Sequence, residues 1–305
     1  MSIPDAEERV LMVHPISDQT ATQTADQSGT NVALKLTDGR NLFFVLYLAA
    51  TVVLFWAPLK ALEGLAWRDG MYSFTLLMPV VILFVFYADR KKIFHRVNYS
   101  AVAGLALLLA TAVFASFSLM RLPMAEQWNW LSLDILALVL VWIAGFVLFY
   151  GVRALRAAVF PCILAFLMVP VPRGLIEGPI GVIRRGSAEI ASLFFHLAGV
   201  PVFREGYTFS LPKLSIVIAQ ECSGIHSSLA LFIGSLLIGH LYLKSAWKRL
   251  ILVLAVFPII SLTNGFRIFS ISMLTLDVNP AFMHGRLHRQ GGSIFFALAT
   301  VILFA

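Results

Sequence analysis

Three residues of types that do covalent chemistry stand out in a very apolar chain. Cys222 lies in Gln220-Glu221-Cys222-Ser223-Gly224, Arg267 in Thr263-Asn264-Gly265-Phe266-Arg267-Ile268, and His288 in Arg286-Leu287-His288-Arg289. They are 45 and 21 residues apart. A thiol is a nucleophile, an imidazole gives and takes protons near neutral pH, and a guanidinium stabilises an oxyanion; together they are the parts of an acyl-transfer site. Cys222 directly precedes the expected start of a helix, where unpaired backbone amides and the positive end of the dipole favour a thiolate. Taken singly each residue is weak: Arg267 would suit a snorkelling arginine and His288 an interfacial polar residue. Their convergence at one face is what points to chemistry.

The elements that must hold them are membrane spans. Of 305 residues 59% are hydrophobic and 13% charged, with a mean hydropathy of +0.87. A soluble domain is about 45–50% apolar and about 25% charged, so a soluble enzyme, a disordered chain and a nucleic-acid-binding domain are excluded. The net charge of +7 sits in short clusters between apolar runs, as membrane topology would place it. Residues 1–40 are polar and without a signal-length apolar stretch, and are expected to form a disordered cytoplasmic tail ahead of a single membrane domain, residues 41–305.

From Leu42 onward eight apolar runs alternate with polar breaks, and an all-α polytopic membrane protein is expected. The runs are about Leu42–Leu59, Tyr72–Tyr87, Val102–Leu119, Leu131–Tyr150, Ala157–Val171, Ile225–Leu243, Leu250–Leu276 and Ser293–Ala305. The even-numbered breaks carry nine Lys and Arg (Arg90, Lys91, Lys92, Arg96; Arg153, Arg156; Lys244, Lys248, Arg249). The short odd-numbered breaks carry five, which puts them outside and both termini inside.

The fifth break, Pro172 to Glu221, is long and patterned. Within Leu175–Ala198, Ile176, Ile180, Ile183, Ile190 and Phe194 recur near helical spacing with Arg184, Arg185 and Glu189 between them, which predicts a helix in the outer interface. Alternation at Tyr207, Phe209, Leu211 and again at Leu214, Ile216, Ile218 predicts a β-hairpin leading into the sixth span.

This arrangement sets the depths. Arg267 is 18 residues beyond Arg249, about 27 Å along a helix, near the outer edge of the hydrocarbon and level with Cys222. Cys162, on the fifth run near its cytoplasmic end, is expected to be a packing residue that cannot pair with Cys222. His284 and His288 have i, i+4 spacing but neither the following Glu nor a third ligand of a zinc site, so no metal and no cofactor is expected. Asp134 and His240 suit polar contacts between helices. Asn98-Tyr99-Ser100 matches a glycosylation sequon but lies at the cytoplasmic edge of the third run and is set aside.

The stretch from Ala219 to Phe296 resembles the exosortase/archaeosortase family of membrane cysteine transpeptidases. The resemblance rests on Cys222-Ser223-Gly224 opening a span, on Asn264-Gly265-Phe266-Arg267-Ile268, and on His288 with Gly292 and Phe296 at successive four-residue steps. Pro170-Val171-Pro172, the turn at Gly199-Val200-Pro201-Val202 and Gly206 extend it to about residues 160–305. Two positions depart from the pattern: His226, where Arg or Asn is more usual, and Arg289, where an acidic residue is common.

The resemblance implies a bacterial inner-membrane enzyme with its active site at the outer face. Its substrates would be exported proteins with a C-terminal sorting tail, which is a short motif such as Pro-Glu-Pro, one transmembrane helix and a basic end. In that picture Cys222 forms a thioacyl intermediate, Arg267 stabilises the oxyanion or orients the scissile carbonyl, and His288 is the acid or base. His226, one turn after Cys222, could instead set the thiol's protonation. Glu221, Ser223 and Asn264 would support the site or the substrate, with Glu221 open between catalysis and capping. The family is also linked to exopolysaccharide production and protein export. Membrane lipids are the other expected partners; no nucleic acid is. Two alternatives stay open: a hydrolase that releases its product to water, and a small polysaccharide or lipid transporter or scaffold without cysteine chemistry.

Overall fold

The computed structural model describes residues 39–95, 100–119, 130–212, 214–218, 225–279 and 292–304. Two compact units are distinguished, one up to Tyr47 and one from Leu48 onward. Of the expected tail, residues 1–40, only Gly39 and Arg40 are described, and they are already helical.

The helices follow the apolar runs. They are α1 (Gly39–Leu54), α2 (Trp56–Arg68), α3 (Phe74–Ile93, preceded by a 3-10 turn at Gly70–Tyr72), α4 (Ala101–Leu119), α5 (Trp130–Ala157) and α6 (Val159–Phe166). After α7 (Arg173–Leu197) come three strands, then α8 (Ile225–Tyr242), α9 (Ala246–Asp277) and α10 (Gly292–Phe304). Lipid cannot pair backbone amides, so helices are the form such runs must take. Among the described residues, 70–93, 101–118, 130–157 and 246–277 are long and apolar enough to cross a bilayer; α1 with α2, bent at Phe55, makes a fifth if counted as one span. The apolar parts of α8 and α10, Ser228–Tyr242 and Ile294–Phe304, are shorter. The chain is therefore a mostly helical membrane protein, with four helices of full span length among the described residues where the hydropathy pattern suggests eight runs.

The fifth run shows why the two readings differ. Ala157–Val171 yields an eight-residue helix, α6, of about 12 Å. It still links the two ends of the bundle. Phe160 stacks on His240 at 3.8 Å between ring centroids, and His240 Nε2 lies 2.5 Å from Asp89 Oδ2 near the end of α3. Eleven residues on, the Val171 carbonyl accepts from Tyr72 Oη at 2.9 Å at the opposite end of α3. In the irregular stretch after α6 Met168 and Pro170 are buried, and Leu164 and Ala165 of α6 are buried beside them. Ser132 at the start of α5 donates to the Pro170 carbonyl and pins the same corner.

α7 forms a helix where the spacing predicts one. Of its expected stripe Ile180 and Ile183 are buried and Ile176, Ile190 and Phe194 partly so, and Ala188, Ala191 and Phe195 are buried beside them, so much of the stripe packs on protein. The helix runs lengthwise and parallel to the second half of α9, with Gly186 against Ser261, Ser187 against Asn264, and Phe194 against Phe266 and Phe269. Amphipathic spacing announces that one face is covered but not by what, and small residues on both helices let protein take the place of lipid.

The strands form one antiparallel sheet in the order β1 (Phe203–Glu205), β2 (Thr208–Leu211), β3 (Leu214–Val217). Phe203 pairs with Ser210, and Leu211 with Leu214. Gly206 opens the two-residue β1–β2 turn with φ 58°, the left-handed conformation such turns need. The sheet buries Phe209, Leu211 and Ile218 against Ala188, Ala191 and Phe195 of α7, and α9 adds Ile268, Phe269, Met273 and Leu276.

Candidate functional site

Arg267 and Asn264 lie on α9; Arg267 is partly buried and Asn264 is buried. His226 is in the first turn of α8. Glu221, Cys222, Ser223 and His288 lie outside the described residues, as do residues 219–220 and 280–291. What the structure does describe is the framework that flanks them.

At the centre of that framework α7 and α9 touch almost backbone to backbone. A Cβ built on Gly265 would lie 2.7 Å from Ile190 Cγ2 and 2.9 Å from the Ser187 carbonyl oxygen, so nothing larger than glycine fits. The close approach lets Asn264 Nδ2 donate to Ser187 Oγ at 3.1 Å, where Ser187 is fully buried. A buried amide left unpaired would cost about 1–3 kcal/mol, so this bond fixes the rotation of α9 about its axis. Arg267 lies three residues on, just under one turn further along the same helix.

Arg184 is the residue that sequence reasoning passes over. Spacing presents it as one polar position on an amphipathic helix. In the structure its Nε donates to the Ile218 carbonyl at 2.7 Å, and its guanidinium lies 3.8 Å from the Tyr207 ring centroid. Ile218 ends the β3 pairing, its N–H donating to the Tyr207 carbonyl at 3.0 Å. It is four residues before Cys222 in sequence. Arg184 is three residues before Ser187, so adjacent turns of α7 hold the strand leading to the cysteine and the helix carrying Arg267. A cation–π contact and a charge-assisted hydrogen bond together make this a stiff tie. No local pattern links residues 184, 207 and 218, which is why spacing does not reveal it.

A second tie between α7 and the sheet is electrostatic. Arg204 Nη2 of β1 lies 2.9 Å from Glu189 Oε1. That hydrogen bond and charge hold the Glu189 carboxyl below its ordinary pKa. The carboxylate is 65% exposed, so the pair sets orientation more than stability.

The starts of α8 and α10 reach the same level. α8 runs antiparallel to α9: Gly239 faces Arg249 and Leu252, and Leu231 packs with Val256 and Ile260. Each step back along α8 is matched by a step forward along α9, which brings Ile225 level with Asn264; Cys222 is three residues before Ile225 in sequence. α10 is likewise antiparallel, with Phe295 against Phe266 at 6.1 Å and Ala299 and Leu303 packed on Val256 and Ile260. The start of α8, the start of α10 and the end of β3 therefore lie beside the second half of α9, around Asn264 to Phe269.

Comparison with known families gives a match to the transmembrane exosortases over residues 66–305. The chain belongs to the transmembrane exosortase family. The match reaches back well before residue 160, so the early helices α3 to α5 belong to the family domain. Membership supports an exosortase-type function in a membrane. Compared with curated proteins and with solved structures, the chain has no match.

Proposed function

We propose that this exosortase-family protein is a membrane cysteine peptidase or transpeptidase that removes the C-terminal sorting tail of exported proteins. The supporting observation is the pair of ties from α7, Arg184 to the Ile218 carbonyl and Ser187 to Asn264, which holds the strand leading to Cys222 beside the helix carrying Arg267. In this reading the Cys222 thiolate attacks the scissile carbonyl. The oxyanion forms beside Arg267, and the departing amine takes a proton from His288. Water or an acceptor amine then attacks the thioacyl carbonyl, gives its proton to His288, and frees the Cys222 sulfur.

The sheet offers a place for the extended sorting motif. β3 is an edge strand; because the Ile218 N–H points to β2, the N–H groups of Ser215 and Val217 point the other way, and both residues are exposed. An extended peptide can add to such an edge through backbone hydrogen bonds. The inner membrane and an outward-facing active site belong to the same proposal.

The test is intact-mass analysis of a co-expressed reporter carrying a Pro-Glu-Pro tail, a transmembrane helix and a basic end. Wild-type protein is expected to remove the tail, and Cys222→Ala to leave it intact while folding normally. Added mass on the new C-terminus would identify an acceptor. Equal processing by both would overturn the cysteine mechanism, and processing by neither across a library of tails would favour a transporter or scaffold.

A further inference from the structure

At the other end of the bundle a second feature is independent of the cysteine site. α3 ends in Arg90-Lys91-Lys92 and the chain continues to His95; α5 ends in a segment with Arg153 and Arg156 three residues apart. Basic residues suit a helix C-terminus, and membrane topology explains their presence on one side. Neither reason requires them to converge, yet they do.

Gly151, with φ 86°, breaks α5 and redirects its last turns. Arg153 and Arg156 are thereby brought to a cavity of about 650 Å³ that Lys91, Lys92 and His95 line from the other side. Among the described residues no carboxylate lines it. Asp89 bonds Lys92 at 3.0 Å and is shared with His240, and Arg90 is turned away onto Tyr87. Lys91, Arg153 and Arg156 have no acidic partner among the described residues. Beside the cavity Phe94 packs edge-on against Tyr150 at 5.1 Å, and Tyr150 against Phe146 at 5.0 Å, which ties the end of α3 to α5. Convergent cations on a fixed frame repel one another until an anion enters.

The cavity sits where the candidate spans 70–93 and 130–157 end, and the ends of membrane spans are where headgroups lie. Below it α3 exposes Leu83, Phe84 and Tyr87, and α6 exposes Val159 and Ile163, an apolar surface for acyl chains. We propose that this cavity binds the phosphate of an anionic phospholipid, the headgroup among the cations and the chains along α3 and α6. Basic pockets between membrane helices are suited to such headgroups, and Arg presents its fork to phosphate oxygens.

The test uses the full-length protein in zwitterionic detergent, titrated with phosphatidylglycerol or cardiolipin and followed by native mass spectrometry. Retained anionic lipid is expected on the wild type, with zwitterionic phosphatidylcholine left behind. Removing two cations in Arg153→Gln/Arg156→Gln is expected to weaken retention roughly 25-fold, about fivefold for each charge near the headgroup. Lys248→Gln, which removes a charge outside the cavity, should retain the lipid as the wild type does. An unchanged melting temperature without anionic lipid shows that the double variant is folded. Equal loss in Lys248→Gln, or full retention in the double variant, would overturn the site. Displacement of the lipid by millimolar inorganic phosphate would overturn the lipid as the source and assign the cavity to a soluble phosphate.

Discussion

Replacing Gly265 with alanine adds one methyl group at the tightest point between α7 and α9. Carbon atoms in contact normally lie about 3.5–4.0 Å apart, whereas the new Cβ would be 2.7 Å from Ile190 Cγ2, 2.8 Å from Ile190 Cβ and 2.9 Å from the Ser187 carbonyl oxygen. Ile190 is β-branched and stiff, and the third neighbour is backbone, so neither can rotate away. The helices must separate by most of an ångström, and overpacking of this kind costs about 1–3 kcal/mol. The same separation stretches the bond between Asn264 Nδ2 and Ser187 Oγ from 3.1 Å beyond useful range. A buried amide left unpaired adds about 1–3 kcal/mol. Alanine is the better helix former by about 1 kcal/mol, so the net loss is about 3 kcal/mol, or a fall in Tm of the order of 10 °C. The assay is thermal melting in detergent beside Gly234→Ala, whose added Cβ meets nothing within 4 Å. That control should match or slightly exceed the wild type. If Gly265→Ala melts with Gly234→Ala, the close packing of α7 on α9 is refuted.

Three further outcomes follow from the same geometry. Arg184→Gln removes the bond to the Ile218 carbonyl and the contact with Tyr207, and should lower reporter processing at least tenfold with Tm nearly unchanged; Arg184→Lys, which keeps charge but not the fork, should recover only part of it. For the buried Asp89–His240 pair, His240→Leu leaves the Asp89 carboxylate with exposed Lys92 alone and should cost about 3–5 kcal/mol. Adding Asp89→Asn should recover part of that loss, a coupling read from a double-mutant cycle in chemical denaturation. The Glu189–Arg204 pair carries a pH signature of known sign: the folded carboxyl titrates below the unfolded one, so its small stabilisation is present above the unfolded pKa and disappears as pH falls through the folded value. Glu189→Gln should therefore melt slightly below the wild type at neutral pH and together with it in acid.

The candidate residues of the site can be named from the residues themselves. Cys222, Arg267 and His288 were singled out because thiol, guanidinium and imidazole have intrinsic chemistry that survives without coordinates, and the match over residues 66–305 places all three inside the family domain. Asn264 could be noted from the sequence, but not its bond to Ser187, 77 residues away. Arg184 could not be ranked above Arg185, its exposed neighbour, because both occupy polar positions of one helix.

Helix formation along the chain was decided by composition: an apolar segment in lipid has no other way to pair its amides, and hydropathy alone marks where α3, α4, α5 and α9 lie. Tertiary structure decided the rest, because it depends on which surface covers which. Ala157–Val171 crosses between the ends of the bundle with only eight residues of helix, one side of it (Leu164, Ala165, Met168) buried on neighbouring helices and the other (Val159, Ile163, Phe166) exposed. The stripe on α7 faces α9 and the sheet because Gly186 and Gly265 permit a close approach that periodicity does not encode. The cationic cavity exists because Gly151 turns Arg153 and Arg156 towards Lys91, a meeting of residues some 60 apart that charge counting along the chain reads only as topology. A sequence records which groups are available; their distances are set when the chain closes on itself.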